Sequence, residues 1–327
     1  MKDFLVCPVC KKNLIRLENS YSCDDCHHSY HEVKGIPVFL PQNEERFKQL
    51  EREYWDQRFA GEGDLSGLQA LYERPDFLSD EWGILEYMKR IVREFPDSAT
   101  LLEIGAGVGS QAIPLALSYN YSTVITDISV ASLDLNRQAV SSLSLESNIE
   151  YYAVDGDYLP FQDNTFDIVL THATLHHLPT PQKTVSEMAR CVRPGGLLVL
   201  GHEPNRRIFE PLRMVADRLH ITEKYTQRFV EGSYSVADEE TPGFFGHELR
   251  RWMAENRLSI EWITPIWFLT AISYNLPVVI NMLFSSNVAT PERLRRLGLM
   301  VDEKILAKTP VVRNLGLFWS LGARKME

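Results

Sequence analysis

Four of the five cysteines fall within the first 26 residues, as Cys7-Pro8-Val9-Cys10 and Cys23-Asp24-Asp25-Cys26. Each C-x2-C pair can reach one metal from a tight knuckle, and two knuckles complete a tetrahedron of thiolates. Four thiolates leave no open position for water, so the zinc expected on Cys7, Cys10, Cys23 and Cys26 is structural. A unit this small buries too little apolar surface to fold by itself, and metal binding worth about 10–16 kcal/mol in zinc peptides would hold it together. His27, His28 and His31 lie close by and are read as histidines beside an already complete site.

A second concentration of chemistry starts at Leu101-Leu102-Glu103-Ile104-Gly105-Ala106-Gly107-Val108-Gly109, an apolar strand running into a glycine turn that opens a helix. A doubly wound sheet presents its ligand crevice at such a turn. The glycine spacing departs from the dinucleotide fingerprint G-x-G-x-x-G, and Glu103 stands at the strand end. S-adenosylmethionine (SAM), with a cationic sulfonium, an amino group and no pyrophosphate, suits a carboxylate there better than NAD does. About twenty residues on, Asp127 ends a second strand, where its carboxylate can accept both ribose hydroxyls. Asp127 can also be read as a helix N-cap, a role open to Ser129. Ile128 offers an apolar face for adenine, Asp155 an acceptor for its amino group, and the Gly156 amide a donor to the ring.

These residues need a frame of alternating strands and helices, the pattern of parallel βαβ units. Strands are expected at about 100–104, 122–126, 149–153, 166–171 and 197–202, with helices near 109–118, 129–142 and 181–192. Residues 1–41 form a first domain, ending at Pro41. Residues 42–96 read as a helical linker or cap: Phe47, Leu50, Tyr54 and Trp55 mark an amphipathic helix, a loop carries Gly61, Gly63 and Gly67, and a second helix spans about 80–95. The remainder, 97–327, forms the large domain, with insertions at about 204–240 and 265–310. A helix is expected at 247–256, a strand at 258–264 and a last strand at 315–323. The apolar stretch 265–284 approaches a membrane span in length, but Pro265, Asn275, Pro277 and Asn281 interrupt it, which favours buried helices or an apolar lid.

The segments Glu103 to Gly109, Asp127-Ile128-Ser129, Asp155 to Phe161, and His176-His177-Leu178 followed by Arg193-Pro194-Gly195-Gly196 together resemble the class I SAM-dependent methyltransferases. The resemblance covers about residues 97–203, and the motifs are specific as an ordered set. Val154 stands where that group often has glycine. What the resemblance implies is an α/β fold: a doubly wound, mostly parallel, seven-stranded, Rossmann-like sheet, here with the zinc ribbon at its N-terminus and a helical insertion near its C-terminus. It also implies that Gly105, Ala106 and Gly107 let the backbone approach the methionine portion and that Glu103 supports its amino group. Asp127 and Ile128 would take the ribose and adenine, Asp155 and Gly156 the adenine edge, and Thr171 is counted with these cofactor residues. Arg193 to Gly196 reads as a turn before the fifth strand, and Tyr54 and Trp55 could close over SAM or simply pack. Residues 7–41, ending in Gly35-Ile36-Pro37-Val38-Phe39-Leu40-Pro41, resemble the Trm112-like zinc-ribbon family.

Methyl transfer is an in-line displacement, so the protein mainly aligns the acceptor and keeps water out. A proton acceptor is needed only for a protonated nucleophile. The candidates are His172, His176 and His177 after the fourth strand, and His202 and Glu203 after the fifth, each of which can equally be a capping or packing residue. Arg206, Arg207, Tyr225, Arg228 and Tyr234, with the apolar stretch, suggest a small-molecule or amphiphilic, lipid-like acceptor, and contact with a membrane surface is left open. The net charge of -10 and pI near 5.5 give no overall pull toward a polyanion. An RNA methyltransferase using the ribbon for recognition therefore stands second, and a non-catalytic SAM-binding scaffold third. At 44% hydrophobic and 24% charged, the chain has the composition of a globular protein. The acidic Asp3 and the early Cys7 argue against a signal peptide and for a cytoplasmic, reducing location.

Overall fold

The computed structural model describes residues 4–41, 44–60, 65–72, 91, 93–109, 111–143, 148–218, 235, 243–266, 297–298, 300–302, 305, 309 and 315–327. Four short strands come first: β1 (Ile15–Arg16), β2 (Ser20–Ser22), β3 (Ser29–Val33) and β4 (Ile36–Phe39). Helices α1 (Arg46–Phe59) and α2 (Leu65–Tyr72) follow. The alternating part runs β5 (Thr100–Ile104), α3 (Ala112–Tyr119), β6 (Ser122–Asp127), α4 (Val130–Ser142), β7 (Ile149–Val154), β8 (Phe166–His172), a 3-10 turn (Leu175–His177), α5 (Pro181–Cys191) and β9 (Val192–Pro204). Then come α6 (Arg206–Arg218), α7 (Gly246–Glu255), β10 (Leu258–Ile266) and β11 (Phe318–Lys325).

The local signals are ordinary ones. Ser129 caps α4 by accepting from the Ser132 N–H, Pro181 opens α5 where no N–H is needed, and Asn120 closes α3 in the left-handed region at φ 52°. Strands β5, β6 and β8 are buried almost without alternation, as expected of parallel strands covered on both faces. One face packs on Ile113, Leu133 and Ile91, and the other on Phe4, Phe39, Phe161, Phe166 and Trp252.

Among the described residues the strand order is β1-β2-β3-β4-β7-β6-β5-β8-β9-β11-β10, eleven strands in one sequence of neighbours. This is more than the seven expected, because the N-terminal unit does not stand apart. Its strand β4 pairs parallel with β7, Val38 opposite Ala153 and Phe39 opposite Val154. Strand β11 is antiparallel to both β9 and β10. The chain moves outward from β5 through β6 to β7 and then returns to β8 on the other side of β5, so the sheet has its topological switch point there. The loops after β5, β6, β7 and β8 meet at that point.

Two local expectations are corrected. The glycine-bearing segment read as a loop includes helix α2, with Gly67 inside it, because Tyr72 anchors that helix with its hydroxyl 2.7 Å from Val108 O and 2.8 Å from Asn136 Oδ1, two acceptors for its one proton. Arg193 to Gly196 is not a turn but a bulge within β9: Phe166 pairs with Val192 and Ile168 already with Leu197, and Arg193 forms an ion pair with the intervening Asp167. Most of the helix expected at 80–95, the residues Tyr225, Arg228 and Tyr234, and the apolar stretch from 267 on lie outside the described residues. Among the described residues, no helix is long and apolar enough to cross a membrane.

Candidate functional site

The four N-terminal thiols converge. Cys7 Sγ lies 3.5 Å from Cys26 Sγ, Cys10 Sγ lies 3.4 Å from Cys23 Sγ, and all four sulfurs are within 4.8 Å of one another. A tetrahedral zinc with bonds of about 2.3 Å places sulfurs about 3.8 Å apart, so the donor set fits that ion in number, chemistry and spacing. The group contains none of the nearby histidines; His28 Nδ1 instead lies 3.2 Å from Cys26 O.

This knuckle unit grips the segment that follows β7. Val6 N donates to Pro160 O at 2.9 Å and Gln162 N to Phe4 O at 2.9 Å. Lys11, directly after the first knuckle, donates to Leu159 O at 3.1 Å and to Glu187 at 2.6 Å, while Glu187 also accepts from Leu159 N. With β4 paired to Ala153 and Val154, the loop carrying Asp155 and Gly156 is held on both sides by the N-terminal unit.

At the switch point lies a cavity of about 510 Å³. Of the residues singled out in the sequence, Gly105, Ala106, Gly107, Asp127, Ile128, Asp155, Gly156, His172 and His177 line it. The glycine turn is built for close approach. Gly107 sits at φ 51° with open space where a Cβ would project, and a Cβ on Gly105, at φ 65°, would collide with the Thr174 side chain. Asp127 ties the turn to β6 by accepting from Gly107 N and Ser129 N, both at 2.8 Å.

Five candidates lie elsewhere. Glu103, Thr171, His176, His202 and Glu203 are not among the described residues that line the cavity. Thr171 donates to Ile104 O, and His202 stacks between His172 and Phe318, with ring centroids 5.3 and 3.8 Å away. Glu203 is fully buried and accepts from the backbone of Thr174, Leu175 and His176 and from His176 Nδ1, so it holds the loop after β8. Burial works against its charge, but His176 and those amides keep its pKa below the usual value. Burial pushes His172 down to about 4, so its imidazole is neutral at physiological pH.

Glu103 accepts from Ala112 N, and burial pushes its pKa up to about 8. A carboxylate raised on folding contributes stability that is fully present below its ordinary pKa near 4.5 and is lost as pH rises through 8. Glu103→Gln keeps an acceptor for Ala112 and removes that dependence. In urea unfolding at pH 5, 7 and 9, the wild type is expected to lose stability against the variant, by at most about 1.4 kcal/mol per pH unit inside the window. A difference that stays constant with pH would contradict the burial argument.

Helix α1 brings a set of lining residues that its local pattern does not announce. Lys48, Glu51, Trp55, Arg58 and Phe59 also line the cavity, and their three- and four-residue spacing puts them on one helical face. For Trp55 the two roles left open were closure over the cofactor and simple packing, and it lines the cavity; Tyr54 packs edge-on against it, ring centroids 5.0 Å apart. The helix is fixed at three places. Asp56 Oδ1 accepts from Ser129 Oγ at 2.7 Å and Ala131 N at 3.3 Å, Glu51 lies 3.2 Å from His177 Nδ1, and Lys48 Nζ donates to both oxygens of Asp155 at 2.8 Å and to Asp157 at 2.6 Å. Burial opposes the Lys48 ammonium, but the two aspartates outweigh it and hold its pKa above the ordinary value. Lys48→Met would leave two buried carboxylates without their cation. Urea denaturation should show a loss of about 3–5 kcal/mol; a change below 1 kcal/mol, on the scale of an exposed pair, would mean the ion pair does not form.

Residues 102–200 match the family model described as a methyltransferase domain. The ubiquinone/menaquinone biosynthesis C-methyltransferase UbiE of Cronobacter sakazakii is 31% identical over 120 residues, 36% of this chain and 47% of that protein. The demethylmenaquinone methyltransferase of Renibacterium salmoninarum is 26% identical over 171 residues, 51% of this chain and 65% of that protein. The chain thus spans about half to two thirds of the length of these relatives. Among solved structures, the geranyl diphosphate C-methyltransferase from Streptomyces coelicolor, in complex with Mg2+, geranyl diphosphate and S-adenosyl-L-homocysteine, superposes with a TM-score of 0.51 at 14% identity, over 88% of this chain and 100% of that one. A Haemonchus contortus phosphoethanolamine N-methyltransferase gives 0.51 at 16% identity, over 89% of this chain and 62% of that one. These two likenesses concern the fold. Residues 102–200 are thus similar in sequence to a methyltransferase domain, and the fold around them is the Rossmann-like α/β fold shared with these two structures.

Proposed function

We propose that the protein is an enzyme that transfers the methyl group of SAM to a small-molecule or amphiphilic acceptor, with a structural zinc in its N-terminal ribbon. The observation that carries this reading is the cavity at the switch point, which is lined by an open glycine turn, by one carboxylate at the end of β6 and by another after β7. Asp127 would take the ribose hydroxyls, Ile128 and Gly156 would flank the adenine, and Gly105, Ala106 and Gly107 would admit the methionine portion. Asp155 keeps room for the adenine amino group beside Lys48, because two carboxylate oxygens offer about four acceptor positions and Lys48 and the Asp157 N–H do not fill them. SAM supplies an activated methyl; the chain's own part is to align the acceptor and exclude water.

An apolar or amphiphilic acceptor is supported by Trp55, Phe59, Val108, Ile128 and Leu178 on the cavity wall. It also agrees with relatives named for quinone biosynthesis and with a structural neighbour solved with geranyl diphosphate. The ribbon resembles the Trm112-like family, and its contacts with residues 159–162 suit a supporting role better than one in gripping RNA. The test is calorimetry with SAM and S-adenosylhomocysteine (SAH), followed by methyl-labelled SAM with fractionated extracts. Label in a lipid or small-molecule pool is expected; label in RNA would reverse the choice of acceptor, and no uptake of either nucleoside would end the proposal.

A further inference from the structure

We infer that Glu51 on α1 and His177 after β8 form a carboxylate–imidazole dyad in which His177 accepts the proton of the methyl acceptor and Glu51 is its positioning residue. The inference rests on the methyltransferase reading and narrows it to acceptors whose nucleophilic atom carries a proton to be lost: a hydroxyl, an amine or an activated C–H. Both residues line the cavity. Glu51, only 3% exposed, places Oε2 3.2 Å from His177 Nδ1, and the same oxygen accepts from Trp55 Nε1 at 3.3 Å. Trp55 stands edge-on to the imidazole, centroids 5.7 Å apart, and Ser235 Oγ lies 3.1 Å from the same ring nitrogen.

An ionised carboxylate can only accept, so in the proposed dyad Glu51 holds the ring proton on Nδ1, Ser235 Oγ sits beside it as a second acceptor, and Nε2 is the basic nitrogen. The neighbouring histidines are committed otherwise. His176 is tied through Nδ1 to Glu203, and His202 stacks between His172 and Phe318. In the step itself, the acceptor's nucleophilic atom passes its proton to His177 Nε2 and forms the new bond to the methyl carbon, while the C–S bonding pair stays on the donor sulfur as a thioether. Because Glu51 belongs to α1, ahead of β5, and His177 to the turn after β8, the proton acceptor is assembled only when α1 is docked.

The test reads the imidazole directly by nitrogen-15 NMR of the full chain with SAH bound, with His177 assigned through His177→Asn. The wild type should show the Nδ1–H tautomer at pH 8.5, and Glu51→Gln should lower the His177 titration midpoint by about one pH unit. Among the described residues, the other charged or titratable groups on the cavity wall or tied to it are Lys48 and Arg58 on α1, Asp127 at the end of β6, Asp155 and Asp157 after β7, His172 at the end of β8, His176 in the turn after it, and Glu203 on β9. All are present in the variant, so a matching shift in a Lys48→Arg control would assign the effect to them and overturn the dyad. An Nε2–H tautomer in the wild type, read without any variant, or an unchanged midpoint in Glu51→Gln would overturn it as well. Calorimetry on the same sample separates the two failures: no SAH uptake removes the methyltransferase reading and the dyad with it, whereas normal uptake with an unchanged His177 removes the dyad alone.

Discussion

Cys23→Ser, or removal of the metal with a chelator, is expected to unfold the N-terminal unit and, through it, to weaken SAM binding at least tenfold. Cys23 is buried within the four-thiol group, and serine cannot replace a thiolate on the proposed zinc. Metal binding worth about 10–16 kcal/mol equals or exceeds the whole stability of an ordinary domain. The effect must reach the cavity because Phe4, Val6 and Lys11 bond the backbone of residues 159–162 and β4 pairs with the end of β7, just before Asp155. Hydrogen exchange is the measurement: protection at residues 21–39 should vanish, and protection at 153–162 should fall. Full protection of 21–39 in Cys23→Ser would show that the ribbon stands without its metal.

The second large effect is expected from Asp127→Ala, which should raise the Kd for SAM about 100-fold. Hydrogen bonds to a charged group contribute about 1.5–3 kcal/mol each, and two ribose contacts at the lower end give about 3 kcal/mol, or two orders of magnitude. The same carboxylate holds Gly107 N and Ser129 N, so part of the loss comes from a relaxed glycine turn. Asp127→Asn, which keeps one acceptor oxygen, should fall between. Calorimetry reads all three proteins, and an unchanged affinity in Asp127→Ala would remove the ribose assignment.

The core of the fold was legible because its signals are local. Strands β5 to β7 are largely apolar runs closed or followed by Gly or Asp, β8 is an apolar run that stops at His172, and the expected limits of all four agree with the observed ones to within a residue. The thiol cluster was legible for the same reason, since two C-x2-C pairs encode their own convergence. The α1 side of the cavity was not. Its lining residues include a lysine, a glutamate and an arginine, which on a lone amphipathic helix read as a solvated face; only the aspartates after β7 and the imidazole after β8, more than 100 residues away, turn that face inward. Helix α2 was missed because Gly67 argues against a helix locally, whereas Tyr72 reaching Val108 and Asn136 is a tertiary contact. Which of the two roles left open for Glu203 it takes was not legible, because a carboxylate near a strand end looks the same in sequence whether it faces a ligand or, as here, the amides of a neighbouring loop.

Strand β4 has a consequence for any shortened version of the chain. An uncovered strand edge is a row of free N–H and C=O groups that recruits another copy, which is how sheets aggregate. In the whole protein β4 occupies that position along β7, at Ala153 and Val154. A fragment beginning after the N-terminal unit would carry the glycine turn and both key aspartates intact and still be insoluble or self-associated, its flank left open to pair with its own kind.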